Sequence, residues 1–277
     1  MLTKENFKFI KEIGRGGFST VYKVIDYEGL VSNKGDILAI KIIDKKNINM
    51  DVLDTEISIF NLIKKHDNIN IVKLYSYFEE DGYLFIIMEY INGLEMLDYV
   101  SYSNNSDDDT IKNIIKQMSN AIKFLHDRDI THGDIKLENF LITKKHRIVL
   151  IDFGLSTVGN NPIFRKKGTA MYAAPELIFL DSETGYIGKK IDMWALGTVI
   201  YILKYKNYPF LGRSLRGLPN IFINEYDKLA YINDQIHHPL KFKGNPFIPI
   251  INGLIRKDVD KRLSTEEFII LVNKINK

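Results

Sequence analysis

The chain has 277 residues, room for one enzyme-sized unit or two small lobes around a substantial core. Hydrophobic residues at 45% and charged residues at 26% are ordinary globular values, which excludes wholesale disorder, collagen-like repeats and a coiled-coil rod. Lysine and arginine total 38 against 35 acidic residues, and the resulting +3 is too weak to announce nucleic acid or an anionic membrane. Zero cysteines exclude a disulfide framework, a thiol nucleophile and Cys-ligated zinc.

The N-terminus, MLTKENFKFIKEIG, alternates charge with aromatic and aliphatic residues where a signal peptide would be continuously apolar. Residues 7–13, 19–27 and 36–43 then read as strands, separated by a Gly-rich turn and the polar loop EGLVSNKG. A helix follows over 51–65, with Leu53, Ile57, Phe60 and Lys64 along one stripe and Ile59 and Ile63 beside it. Strands are expected at 70–78 and 83–90, flanking the turn EEDG. Beyond Ile91-Asn92-Gly93 the pattern turns helical. Ile111, Ile114, Ile115, Met118, Ile122 and Leu125 keep the helical period behind Ser106 to Asp109, a run that suits the positive end of a helix. Capping is the preferred reading of that run over an acidophilic phosphorylation site at Ser106. Short strands return at 140–143 and 148–152, and helical pattern continues to the end.

The longest nearly apolar run, Met193 to Leu203, has about half the length needed to cross a bilayer and reads as a buried core helix. The layout is two-lobed, without internal repeats or low-complexity linkers. His237 and His238 precede Pro239 in a polar loop with no further ligand at metal spacing, and read as surface residues.

Three stretches carry chemistry. Gly14-Arg15-Gly16-Gly17-Phe18-Ser19-Thr20-Val21 joins two strands, where glycines can expose N–H groups to an anion; alone it is equally a hairpin that merely turns. Its strand-turn-strand setting argues against a dinucleotide fold, whose fingerprint opens a helix. Lys41, in Ala39-Ile40-Lys41, sits amid apolar alternation and either faces solvent or needs a partner, which Glu56 on the next helix can supply. The densest set is His132-Gly133-Asp134-Ile135-Lys136-Leu137-Glu138-Asn139, followed by Asp152-Phe153-Gly154.

Together these resemble the eukaryotic-type protein kinases. Gly168-Thr169-Ala170-Met171-Tyr172-Ala173-Ala174-Pro175-Glu176, Asp192-Met193-Trp194-Ala195-Leu196-Gly197 and Lys261-Arg262-Leu263 follow in the family's order. The resemblance implies an α+β bilobal protein kinase fold, with a small β-rich N-lobe (1–91) and a larger, mainly α-helical C-lobe (92–277). The two form one catalytic domain, 1–277, with ATP bound between them. It further implies that the backbone of 14–19, with Gly14, Gly16, Gly17, Phe18 and Ser19, covers the phosphates, that Ile13 also belongs to the nucleotide site, that Lys41 held by Glu56 grips the phosphates, and that Val21, Ala39 and Leu141 enclose adenine. Met88 takes the gatekeeper position, with Glu89, Tyr90 and Ile91 as hinge. Asp152 and Asn139 would hold Mg²⁺, or Mn²⁺. Asp134 would orient and deprotonate the substrate hydroxyl while Lys136 steadies the γ-phosphate.

Further residues match architectural positions: the stacked Leu74, Phe60, His132 and Phe153, the ion pair Glu176–Arg262, and Asp192 as acceptor of catalytic-loop N–H groups. Lys136 and Thr169 are the serine/threonine form. Glu95 and Glu138 match positions that meet basic residues of a protein substrate, although Arg165, Lys166 and Lys167 pull the other way. Ser19 replaces the third glycine, a tolerated variation.

One departure matters: Gly133 stands where the family most often has arginine, and Arg128 lies in the preceding helix end. His-Gly-Asp also occurs in small-molecule phosphotransferases of the aminoglycoside and choline kinase type, and a pseudokinase scaffold is the other alternative. The family's arginine pairs with an activation-loop phosphate, yet VGNNPIFRKKG, between Thr157 and Thr169, contains no Ser, Thr or Tyr. Reader and acceptor are absent together, so the loop is expected to order without phosphorylation. The remaining expectations are an intracellular protein of cytoplasm or nucleus, a protein substrate, no nucleic acid, no membrane insertion, and no regulatory domain within these residues. Oligomeric state is left open.

Overall fold

The computed structural model describes residues 2–17, 19–103, 107–164, 168–178, 183–209 and 245–275. The readings at Phe18, Ser106, Arg165, Lys166, Lys167, His237 and His238 lie outside the described residues. The chain forms two compact units, Met1–Asn92 and Gly93–Lys277.

The first unit is a five-stranded antiparallel sheet of β1 (Phe7–Arg15), β2 (Ser19–Asp26), β3 (Asp36–Asp44), β4 (Leu74–Glu80) and β5 (Tyr83–Glu89), ordered β1-β2-β3-β5-β4. Period-two alternation divides its residues between two faces. One face buries Phe7, Val24, Leu38, Ile40, Phe78, Phe85 and Ile87 together. There the Phe78 ring stacks on Phe85 at 4.6 Å and on Phe7 at 6.3 Å. The register pairs Val21 with Lys41, Lys41 with Ile86, and Ala39 with Met88. Paired residues and i,i+2 neighbours share a face, so Val21, Ala39, Lys41, Ile86 and Met88 line the opposite side.

Helix α1 (Met50–Lys64) starts at Asn49, whose side chain accepts the Asp51 N–H at 2.8 Å. Its buried face is Leu53, Glu56, Ile59, Phe60 and Ile63, with Ile57 half-buried and Lys64 exposed. The expected stripe through Ile57 and Lys64 is therefore displaced by one residue. Glu56 occupies the core position because a buried cation, Lys41, awaits it there. Asp26 closes β2: its fully buried carboxylate accepts N–H groups from Gly29, Leu30, Val31 and Ser32 at 2.8 to 3.1 Å, fixing the loop into β3.

The second unit contains β6 (Gly93–Glu95), α2 (Met96–Tyr102), α3 (Asp108–His126), β7 (Ile130–Thr131), β8 (Phe140–Thr143), β9 (Ile148–Leu150), β10 (Thr157–Val158), α4 (Pro175–Ile178), α5 (Gly188–Tyr205), α6 (Ile248–Leu254) and α7 (Thr265–Ile275). Two small sheets, β6-β8-β9 and β10-β7, lie among the helices. Asp107 caps α3 by accepting the Thr110 N–H at 2.7 Å, as the acidic run suggested. The six predicted apolar positions of α3 are all buried. Helix α5 is buried through most of its length, and Gly197 lets α6 approach it, since a Cβ there would stand 2.7 Å from the Leu254 side chain. Lys206, with φ +56, ends α5 in the left-handed region. Ser264 and Glu267 exchange hydrogen bonds in a capping box that starts α7. Among the described residues no helix is long and apolar enough to cross a membrane.

Candidate active site

In the first unit Lys41 comes up through the middle of β3, where its ammonium loses water. Its Nζ lies 2.7 Å from Glu56 Oε1, both side chains being nearly buried. A buried cation without this carboxylate would be costly. The pairing expected from sequence is thus formed, on the face shared with Val21, Ala39 and Met88. Met88 is half-buried; Glu89 follows it, with its N–H donated to Lys73 O at 2.8 Å, and Ile91 is buried.

Ile13 and Gly14 lie in the last three residues of β1, Ser19 begins β2, and the turn is closed by Gly16 N–H donating to Ser19 O at 2.8 Å. Ile13 is exposed. None of Gly14, Gly16 and Gly17 has positive φ, a Cβ at Gly14 would make only ordinary contact, and one at Gly17 would meet nothing within 4 Å. Neither dihedrals nor packing among the described residues demands glycine here, so the bare backbone leaves room for another group to approach.

In the second unit the catalytic-loop motif folds around one carboxylate. Asp134 Oδ2 lies 2.7 Å from Lys136 Nζ, and Oδ1 accepts the Thr169 hydroxyl at 2.8 Å. Lys136 Nζ also donates to Thr169 Oγ1 at 3.0 Å. The Asn139 amide nitrogen donates to the Asp134 backbone oxygen at 2.8 Å and to Oδ2 at 3.3 Å. Three residues from two segments therefore fix one carboxylate, and Lys136 balances its charge.

The loop is held from beneath by Asp192. Its Oδ2 accepts the His132 N–H at 2.7 Å and its Oδ1 the Gly133 N–H at 2.9 Å. Gly133 has φ +78, a region that costs a side-chain-bearing residue strain, so glycine at the arginine position relaxes the backbone. His132 accepts the Asp134 N–H through Nδ1 at 3.3 Å and donates Nε2–H to Ile151 O at 3.3 Å, while its ring meets Phe153 at 5.4 Å.

Asp152 follows β9, and the Ile151 N–H donates to Asn139 O at 2.9 Å, which brings the two expected metal residues alongside. Asp152 itself has φ +60, a strained value for a non-glycine, and its Oδ1 accepts the Gly154 N–H at 3.3 Å. Since the Asn139 amide nitrogen faces Asp134, its carbonyl oxygen is the atom left for a cation. Carboxylate and amide oxygens are the donors magnesium prefers. Among the described residues no three His, Cys, Asp or Glu gather around a metal position. Magnesium at phosphotransfer sites is commonly held by one or two protein oxygens plus substrate phosphates, so this donor set fits a cation that arrives with a nucleotide. Leu141, half-buried on β8, pairs with Glu95 and Val149.

Glu176 and Arg262 form the expected fork, at 2.5 and 2.9 Å, with the guanidinium also over the Trp194 ring at 5.0 Å. Tyr172 donates its hydroxyl to Glu138 at 3.1 Å. Partial desolvation, then Asp98 and Glu138, push the Glu95 carboxyl above its ordinary pKa, and Lys136 offsets this only in part.

Several residues escaped the sequence reading. Buried His126 donates Nε2–H to Asp192 Oδ2 at 3.0 Å and meets Thr265 Oγ1 at 2.5 Å through Nδ1, tying the loop anchor to α7. Its signal was position: His126 continues the apolar stripe of α3, four residues after Ile122. Ser156, which donates to His132 O at 2.9 Å, gave no such signal.

The family model described as "Protein kinase domain" matches residues 7–270. The chain is 34% identical over 269 residues to a "Probable myosin light chain kinase" of Dictyostelium discoideum, covering 95% of this chain and 81% of that one. It is 30% identical over 284 residues to the "Serine/threonine-protein kinase cds1" of Schizosaccharomyces pombe, covering 96% and 58%. It is also 35% identical over 212 residues to the human "Serine/threonine-protein kinase DCLK2", covering 74% and 26%. The chain thus spans little more than half of the second relative and about a quarter of the third. These relatives favour neither a small-molecule phosphotransferase nor a scaffold, and the fold implies use of ATP, a divalent metal and protein substrates. The chain belongs to the protein kinase family and is a protein kinase of the eukaryotic serine/threonine type.

Proposed function

We propose that the chain transfers the γ-phosphate of magnesium-bound ATP to serine or threonine hydroxyls of proteins, and that it needs no phosphate on its own activation segment. The observation that carries the reaction is the Asp134 cluster, in which Lys136, Thr169 and Asn139 aim one carboxylate. Asp134 orients the acceptor hydroxyl and takes its proton, and Lys136 balances charge on the transferring phosphoryl. Lys41, held by Glu56, grips the phosphates. The bare backbone at Gly14, Gly16, Gly17 and Ser19 covers them, and Phe18 belongs to the same turn. Val21, Ala39, Met88, Glu89, Ile91, Leu141 and Ile13 serve the nucleotide base and its edge. Asp152 and Asn139 hold magnesium, which neutralises phosphate charge when bound; manganese is the second candidate. Residues 1–91 and 92–277 act as the two lobes of one catalytic domain. An intracellular site of action follows from the use of ATP.

Phosphate independence rests on Gly133 and on the absence of Ser, Thr and Tyr between Thr157 and Thr169. Of the two bounding threonines, the Thr157 hydroxyl is buried and the Thr169 hydroxyl is engaged by Asp134 and Lys136. Glu95 and Glu138 favour basic residues near the acceptor.

The test is labelled-ATP transfer to a protein panel and to small aminoalcohols, with phosphatase-treated wild type beside Asp152→Asn. Label should enter Ser and Thr of proteins, with at least a roughly thousandfold loss in the variant. Label in small molecules alone, or bound nucleotide without transfer, overturns the reaction; activity lost with the phosphate overturns the second clause.

A further inference from the structure

A segment that carries no phosphate must be fixed by something else, and the fastening is visible at Asp129. This residue follows α3, in the left-handed region with φ +54. Its backbone oxygen accepts the Gly159 N–H at 2.8 Å, and Lys189, then the neighbouring Asn160 side chain, hold its carboxyl below the ordinary aspartate pKa. The same carboxylate takes Lys189 Nζ at 2.6 Å. Lys189 lies in the first turn of α5, three residues before Asp192. A cation there opposes the helix dipole, and α5 has no acidic residue in that turn; Asp129 supplies the missing negative charge.

On either side the segment is tied by backbone. β10 pairs with β7 through Thr157–Thr131 and Val158–Ile130. Ile163 and Tyr186 exchange hydrogen bonds at 2.9 and 3.1 Å, and Tyr186 is buried with Ile191 and Trp194. Asp129 stands between these ties.

We propose that Asp129, paired with Lys189, is a positioning residue that fastens residues 159–160 of the activation segment to the helix bearing Asp192, in place of an arginine–phosphate contact. Residues 157–163 and the Asp192-anchored catalytic loop then share one support, α5. The proposal rests on the reading that no activation-segment phosphate is required, and the experiment separates the two.

Wild type, Asp129→Ala, Lys189→Met, the double variant and the exchange Asp129→Lys/Lys189→Asp are prepared free of phosphate, verified by mass spectrometry. Peptide phosphorylation is measured with thermal unfolding alongside. Each single variant should lose roughly tenfold in kcat with the ATP KM within about twofold. The double should lose no more than either single, as expected when both substitutions break one interaction, and the exchange should recover most of the loss. Unfolding midpoints should stay within about 2 °C, since half of the Asp129 side chain is already exposed. Active phosphate-free wild type with unchanged single variants overturns the fastening alone. Additive losses, or losses that only track a lowered midpoint, overturn it too. Inactive phosphate-free wild type overturns the underlying reading, and the fastening with it.

Discussion

Asp192→Asn tests whether the catalytic loop depends on its buried anchor. The carboxylate accepts three hydrogen bonds, from His132 N–H, Gly133 N–H and His126 Nε2. Asparagine keeps the shape and one acceptor oxygen. Placed at the Oδ2 position, that oxygen can keep His132 and His126, and the new NH₂ then faces the Gly133 N–H. The Gly133 N–H and the new NH₂ are then both buried donors without an acceptor, each at a cost of about 1–3 kcal/mol, and the two remaining bonds lose their charge assistance, for a total of roughly 3–8 kcal/mol. If about 2 kcal/mol of this falls on the loop alone, the aligned conformation becomes roughly thirtyfold rarer. Gly133 has no side chain to oppose rotation of the freed peptide, so Asp134 is the residue displaced. The expected result is a kcat lower by roughly thirtyfold or more and an unfolding midpoint lowered by several degrees. Coupled measurement of ADP release and thermal unfolding reads both. Wild-type kcat together with a midpoint within about 1 °C of wild type would refute the reasoning.

Two further outcomes follow from the first unit. Burial raises the Asp26 carboxyl, but N–H donors from Val31, Ser32, Leu30 and Gly29 outweigh it and hold its pKa below the ordinary aspartate value. A lowered folded pKa stabilises the protein fully above the unfolded value of about 3.9 and less as pH falls through the folded value. Asp26→Asn should therefore be clearly less stable than wild type at pH 7, with a gap that narrows at pH 3 in urea titrations; a pH-independent gap contradicts this. For the buried pair, Lys41→Met alone leaves Glu56 uncompensated and should cost about 3–5 kcal/mol, whereas Lys41→Met/Glu56→Leu should come close to wild-type stability and yet transfer no phosphate. A double variant as unstable as the single would show that the pair holds the fold as well as the nucleotide.

The motifs in their order were enough to state the resemblance to the family, and periodicity was enough for the strand-rich first unit and the helix-rich second, because the alternations of β3 and β5 and the stripe of α3 are local properties of the chain. The same resemblance also singled out Lys41, Asp134, Asn139 and Asp152. The stripe of α1 shows the limit: Glu56 takes a core position only because Lys41 reaches it from another element, so a polarity pattern misplaces the face by one residue. For His126, Ser156 and Asp129 the bonding was illegible for the same reason, although the place of His126 on the apolar stripe of α3 was not. Their partners, Asp192, His132 O and Lys189, are 66, 24 and 60 residues away, and hydrogen bonds at that separation leave no local trace. Sequence alone determined which functional groups are offered for the proposed chemistry, since those lie in short motifs. Tertiary structure decided what holds those groups in place, since a buried carboxylate is satisfied by whichever donors the fold brings to it.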